Sequence, residues 1–187
     1  GLYRERNPDY KRRIISWILI ILIFVLGLGW GRLKYGASIH LNRALDAARL
    51  GRIDEAKYHI EKLSARARKD TRAKELIEVV YIEDINNSLQ KGQPDEALES
   101  INVLIGYYPE EMNYYFYRGN IYEAIEDYER ALEDYLFVTE TVKNSDKVWF
   151  SAGRAAYNTG RLSDAKKYLE EALKINPNYQ DAKQLLE

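Results

Sequence analysis

Cysteine is absent from this 187-residue chain. That excludes disulfides, zinc–thiolate centres and thiol chemistry. It is compatible with an oxidising compartment without requiring one. Histidine occurs twice, as His40 and His59, and neither stands in a His-x-x-x-His or His-x-x-Glu spacing, so no metal site is expected. The glycine-rich phosphate loops and the Gly-x-Ser-x-Gly nucleophile motif are missing. Acidic pairs do occur, as in Glu126-Asp127, Glu133-Asp134 and Glu170-Glu171. They share helix faces with Lys or Arg and read as solvated surface. These absences point away from an enzyme, with no cofactor and no small-molecule substrate.

Charge is unevenly spread. Residues 1–36 hold 7 of the 28 basic and 2 of the 29 acidic residues, which leaves them at about +5 and the rest of the chain at about −6. An acidic body is a poor nucleic-acid partner, because phosphate contacts need clustered Lys and Arg. A basic N-terminus suits anionic lipid headgroups.

Long apolar runs are limited to one. Ile14 to Trp30 contains no charged residue. With Arg13 and Arg32 able to snorkel and Trp17 and Trp30 near its ends, the run predicts a transmembrane helix over residues 14–31. It follows a basic tail, 1–13, and precedes a connector, 32–36. A cleavable signal peptide is the competing reading, with Gly29-Trp30-Gly31 as a poor cleavage site. The Lys11-Arg12-Arg13 cluster favours a cytoplasmic N-terminus. The expected localisation is therefore a bacterial inner membrane, crossed once, with the remainder of the chain in the periplasm. Gly27 and Gly31 form a GxxxG spacing, a candidate surface for packing another membrane helix.

The rest of the chain is organised by a period of 34. Gly119 and Gly153 stand 34 residues apart; so do Ala97, Ala131 and Ala165; so do Tyr81, Tyr115 and Trp149; so do Ile101, Tyr135 and Leu169. This is the period of a helix–turn–helix unit stacked into an α-solenoid. The columns resemble those of the tetratricopeptide repeat (TPR) family. Residues 146–179 fit best, with Trp149, Ala152, Gly153, Gly160, Ala165, Leu169, Ala172 and Pro177, though Ala156 stands where the family has an aromatic. Residues 112–145 and 78–111 are further copies. A degenerate first copy covers 37–70, and the seven residues 71–77 separate it from the second. The fold expected is all-α: one transmembrane helix, then a TPR-like solenoid over 37–187 of about four repeats, with a capping helix begun at 180–187. The resemblance covers about four fifths of the chain.

Site expectations follow from the resemblance. TPR proteins that clamp a terminal carboxylate carry Lys, Asn, Asn, Lys and Arg at five set positions. This sequence has Ile82, Asn86, Tyr117, Lys147 and Ser151 there. Only Asn86 and Lys147 match, so that clamp is broken. The concave face of the last two repeats is expected to bind a partner through Phe116, Phe150 and Tyr157, oriented by Asn120 and Arg154. A capping helix packed on Phe116 and Phe150 is the alternative. The dense aromatic stretch 107–117 supplies a rival contact patch of Tyr107, Tyr108 and Tyr114. The function implied is a non-catalytic, membrane-anchored scaffold, an accessory or assembly subunit of a membrane protein complex. Its partners would be other subunits of that complex, peptide segments in the groove, and membrane lipid. The alternative is a transient chaperone-like receptor on a secretion or translocation pathway.

Overall fold

A computed structural model of the chain describes residues 38–187. The basic tail, the 14–31 span, the connector 32–36 and the Gly27/Gly31 pair lie outside the described residues. Among the described residues no helix is long and apolar enough to cross a membrane. This corrects the single-pass inner-membrane localisation. The longest helix, Thr71–Gln90 with 20 residues, has the length for a span. It carries Arg72, Lys74, Glu75, Glu78, Glu83 and Asp84 and cannot serve as one.

The described residues are helical, with no strand among them. They fall into two compact units that divide between Asp70 and Thr71. The first contains α1 (38–49), α2 (Ile53–Glu61) and the short α3 (Ala65–Arg68), which Ser64 caps by accepting from Ala67 N–H. Small residues Ala44, Ala47 and Ala56 are buried there with Ile60 and Leu63.

The second unit contains α4 (Thr71–Gln90), α5 (Pro94–Tyr107), α6 (Met112–Ala124), α7 (Tyr128–Thr141), α8 (Asp146–Asn158), α9 (Leu162–Ile175) and α10 (Gln180–Leu186). Consecutive helices pack as the pairs α4/α5, α6/α7 and α8/α9, and α10 packs on α9. Residues 71–77, expected to stand between the first two copies, are helical. They form the first two turns of α4, because Ala73, Leu76 and Ile77 continue the buried series that runs on through Val80 and Tyr81.

Glycine recurs at two places in the repeat, the helix crossing of α6/α7 and α8/α9 and the turn between paired helices. A Cβ on Gly119 would lie 2.7 Å from Tyr135 Cε1, and one on Gly153 would lie 2.7 Å from Leu169 Cγ and 3.3 Å from its backbone N. In α6/α7 and α8/α9 the glycine of the first helix thus makes room for the bulky residue that the second helix sends across the crossing. The other place is the turn between the paired helices. Gly51, Gly92 and Gly160 have φ of +68°, +71° and +77°, and the third copy puts Glu126 there at +62°. The core around α7 and α8 is made of Ala131, Leu132, Tyr135, Ala152, Ala155, Ala156 and Ala165, with Phe116, Tyr122 and Tyr168 packed against it.

Candidate functional site

The first helix of each pair in the second unit is α4, α6 or α8, and side-chain bonds hold the three in one face. Tyr117 Oη of α6 donates to Asn86 Oδ1 of α4 at 2.7 Å. Arg154 of α8 grips Glu123 of α6 with two bonds, Nε to Oε1 at 2.6 Å and Nη2 to Oε2 at 2.8 Å. Tyr135 reaches this pair from α7: its Oη lies 2.8 Å from Asn120 Oδ1 and 2.9 Å from Glu123 Oε2. Burial and the Glu123 charge push the Tyr135 hydroxyl well above its ordinary pKa. The hydroxyl therefore stays a donor. The bond to Glu123 likewise raises Arg154.

Asn120 and Arg154 are thus brought together, through Glu123 and Tyr135. Phe116 joins them, its ring centroid 5.4 Å from that of Tyr135. The Arg154 guanidinium lies 5.2 Å from the Phe150 centroid, within cation–π range. Tyr157 is 46 % exposed on the same helix. Phe150 is different: it is 7 % exposed, covered by Tyr179 with ring centroids 4.8 Å apart. Residues of and before α10 make that cover, with Ala182 buried and Leu185 and Leu186 partly so. On α4 the equivalent face is open, with Val79 60 % and Ile82 36 % exposed.

Tyr107, Tyr108 and Tyr114 lie elsewhere. Tyr108 and Tyr114 are buried and Tyr107 is half-buried. Tyr81, Tyr107, Tyr108 and Tyr114 form a chain of ring contacts with centroids 6.2–6.4 Å apart between α4, the end of α5 and α6. Tyr114 Oη donates to Glu78, and Lys74 pairs with Glu111 while its ammonium lies 5.3 Å from the Tyr108 ring. Burial first, then the Glu78 bond, drive the Tyr114 pKa far up. These residues seal the joint between two repeats, which removes Tyr108 and Tyr114 from an exposed contact patch. Tyr81 belongs to a 34-residue column, but the ring-to-ring reach of Tyr107, Tyr108 and Tyr114 across three helices is non-local and has no counterpart in those columns.

Sequence reasoning also missed Arg118. It stands where the family has a small residue, and it fills the space by a bidentate pair with Asp134 (2.8 and 2.7 Å) plus a bond from Nη1 to Asn102 Oδ1 at 2.7 Å. An arginine at a small-residue position was the available signal. Of the clamp positions, Asn86 is engaged with Tyr117. Among the described residues no group of three or more His, Asp or Glu could hold a metal ion. His40 and His59 do meet, with Nδ1 atoms 3.1 Å apart.

Comparison with known proteins places the fold. Residues 86–137 and 146–179 each match a family model described as tetratricopeptide repeat. No curated protein matches. Among solved structures, the chain is similar to MamA (residues 41 to the end) from Desulfovibrio magneticus RS-1, at a TM-score of 0.56 and 18% identity over 81% of each chain. It is similar to the second TPR domain of human RPAP3 in complex with the HSP70 peptide SGPTIEEVD (TM-score 0.54, 21% identity, 60% of this chain and 93% of that one). It is also similar to the Sgt2 TPR domain from Aspergillus fumigatus (0.51, 20%, 57% and 72%). At such identities the likeness is one of fold. Residues 86–137 and 146–179 match tetratricopeptide repeat models, and the fold of the described residues is an all-α, TPR-like solenoid.

Proposed function

We propose that this protein is a non-catalytic interaction scaffold. It takes peptide segments of partner proteins along the face of α4, α6 and α8, and through them helps a protein complex to assemble. The observation that carries the reading is the pattern of exposure on that face. Val79, Ile82 and Tyr157 stand open to solvent beside Phe116, while Asn120 and Arg154 are fixed in position by Tyr135 and Glu123. Apolar area flanked by oriented polar groups is what a peptide groove requires. The human RPAP3 domain of the same fold was solved with a peptide in complex. Here the segment would be held by aliphatic, aromatic and amide contacts rather than by a carboxylate clamp, because Ile82, Tyr117 and Ser151 stand at three of the five clamp positions.

Site-specific photocrosslinking tests the reading. A benzoylphenylalanine at position 116 or 157 should trap the same partner, and one at the exposed Glu133 of α7 should trap none. The Phe116→Ala, Asn120→Ala double variant should release the partner from position 157 with its helix content unchanged. Equal trapping from position 133, or a double variant that still crosslinks at full yield, would place the partner elsewhere.

A further inference from the structure

The face of α4, α6 and α8 is not uniformly open. Ile82, Phe116 and Phe150 occupy equivalent places in the three helices. Ile82 is exposed, Phe116 is partly buried and Phe150 is buried. The step at Phe150 comes from Tyr179, whose ring lies on it tilted by 38°. Tilted and offset ring pairs are the favourable ones, and a guanidinium over the same ring adds to them. Arg154 supplies that guanidinium, and its charge also acts on the Tyr179 hydroxyl.

Tyr179 is presented as a ligand's side chain would be. Its backbone is extended (φ −72°, ψ 95°). The residues before it form a turn closed by Tyr179 N–H donating to Asn176 C=O at 3.1 Å. Asn176 Nδ2 donates to Asp146 Oδ2 at 2.8 Å and pins that turn to the start of α8. The helix that follows has seven residues, of which Ala182 alone is buried. So short a helix has little stability of its own. The segment is held by the Tyr179–Phe150 pair, the Asn176–Asp146 bond and the packing of Ala182, Leu185 and Leu186. A cavity of about 370 Å³, lined by Tyr157 of α8, Leu162 and Leu169 of α9 and Leu185 of α10 among others, leaves space unfilled between α10 and the helices it packs near.

We propose that Tyr179 is a built-in occupant of an aromatic subsite made by Phe150 and Arg154, and that the partner's peptide binds by placing an aromatic side chain there in its stead. The proposal rests on the groove reading above and names the chemistry of the partner: an extended segment bearing Tyr, Phe or Trp. It also makes 177–187 a competing cover. A cover closed nine-tenths of the time weakens the apparent affinity about tenfold.

The test uses a random 12-residue display library selected against the full chain and against Tyr179→Ala. Selected peptides should share one aromatic position. Resynthesised peptides should bind Tyr179→Ala about tenfold more tightly than the wild type, and Tyr179→Phe like the wild type. Replacing the peptide's aromatic by Ala should abolish that gain. Circular dichroism of each variant shows that α4–α9 stay folded. Peptides with no shared aromatic, or equal affinity for wild type and Tyr179→Ala, overturn the subsite while leaving the groove reading in place. A library that yields no peptide for either protein overturns both.

Discussion

Glu126 is the residue most at odds with its backbone. Gly occupies the equivalent turn position in the other three copies, and each has positive φ, as Glu126 does. An L side chain in the left-handed region costs roughly 1–2 kcal/mol, partly offset by glycine's larger unfolded-state entropy. Glu126→Gly should therefore stabilise the protein by about 1 kcal/mol, seen as a rise of about 3 °C in Tm by calorimetry; an unchanged or lower Tm would contradict the assignment. Gly153 makes the opposite case. A leucine there would meet both the side chain and the backbone N of Leu169, and overpacking of this kind costs about 1–3 kcal/mol or more. At Gly160 only the positive φ opposes substitution, since a Cβ added there would have nothing within 4 Å. Gly153→Leu should lower Tm more than Gly160→Leu does. Phe150→Ala should also destabilise, by about 3 kcal/mol, because it empties a buried aromatic site. For that reason Phe116, partly exposed, is the better position at which to separate binding from folding.

The two histidines belong to the same scale. With Nδ1 atoms 3.1 Å apart, at least one must be neutral. Burial, then His59, Arg43 and Lys62, lower the pKa of His40, and the Tyr58 ring packs edge-on against His59. A base whose folded pKa is lowered binds fewer protons folded than unfolded. Its contribution is present above the unfolded value near 6.5 and is lost as pH falls below it. Intrinsic-rate-corrected amide exchange in residues 38–61 should accelerate from pH 7.5 to 5.5, and His40→Gln should flatten that dependence. A pH-independent profile in the wild type would show that the pair does not couple to folding.

At the level of elements, the repeat was legible because the crossing residues obey sterics that recur every 34 positions. Gly119 meets Tyr135 and Gly153 meets Leu169 at the same two places of their pairs. The start of α4 was not legible. A count of 34 back from the next copy ends at residue 78, whereas Ala73, Leu76 and Ile77 carry the buried stripe two turns further. The Arg118–Asp134 pair was also hidden, since it replaces packing of small side chains by charge. With Asp134 buried and Arg118 mostly so, Arg118→Ala leaves a carboxylate without its partner. It should cost about 3 kcal/mol in urea unfolding of the α5–α7 region. Arg118→Ala, Asp134→Ala together should cost less than the two single changes summed.

For the whole molecule, a period and a composition led to the right class of architecture, and they did not tell which residues on the face of α4, α6 and α8 are open. Burial depends on what packs from elsewhere in the chain. Tyr179 covers Phe150, and Tyr108 and Tyr114 close on α4. Neither contact has a local sequence signal. The single-pass membrane localisation rests on residues 14–31, outside the described residues, and among the described residues no helix, not even the 20-residue α4, is long and apolar enough to cross a membrane. The central claim is that partners bind the face shared by α4, α6 and α8. Hydrogen exchange with and without a library-selected peptide tests it most directly. Protection should rise along α4, α6 and α8 around Ile82, Phe116 and Tyr157, with α5, α7 and the outer side of α9 unchanged. Protection confined to α5 and α7, or none on α6, would contradict the account.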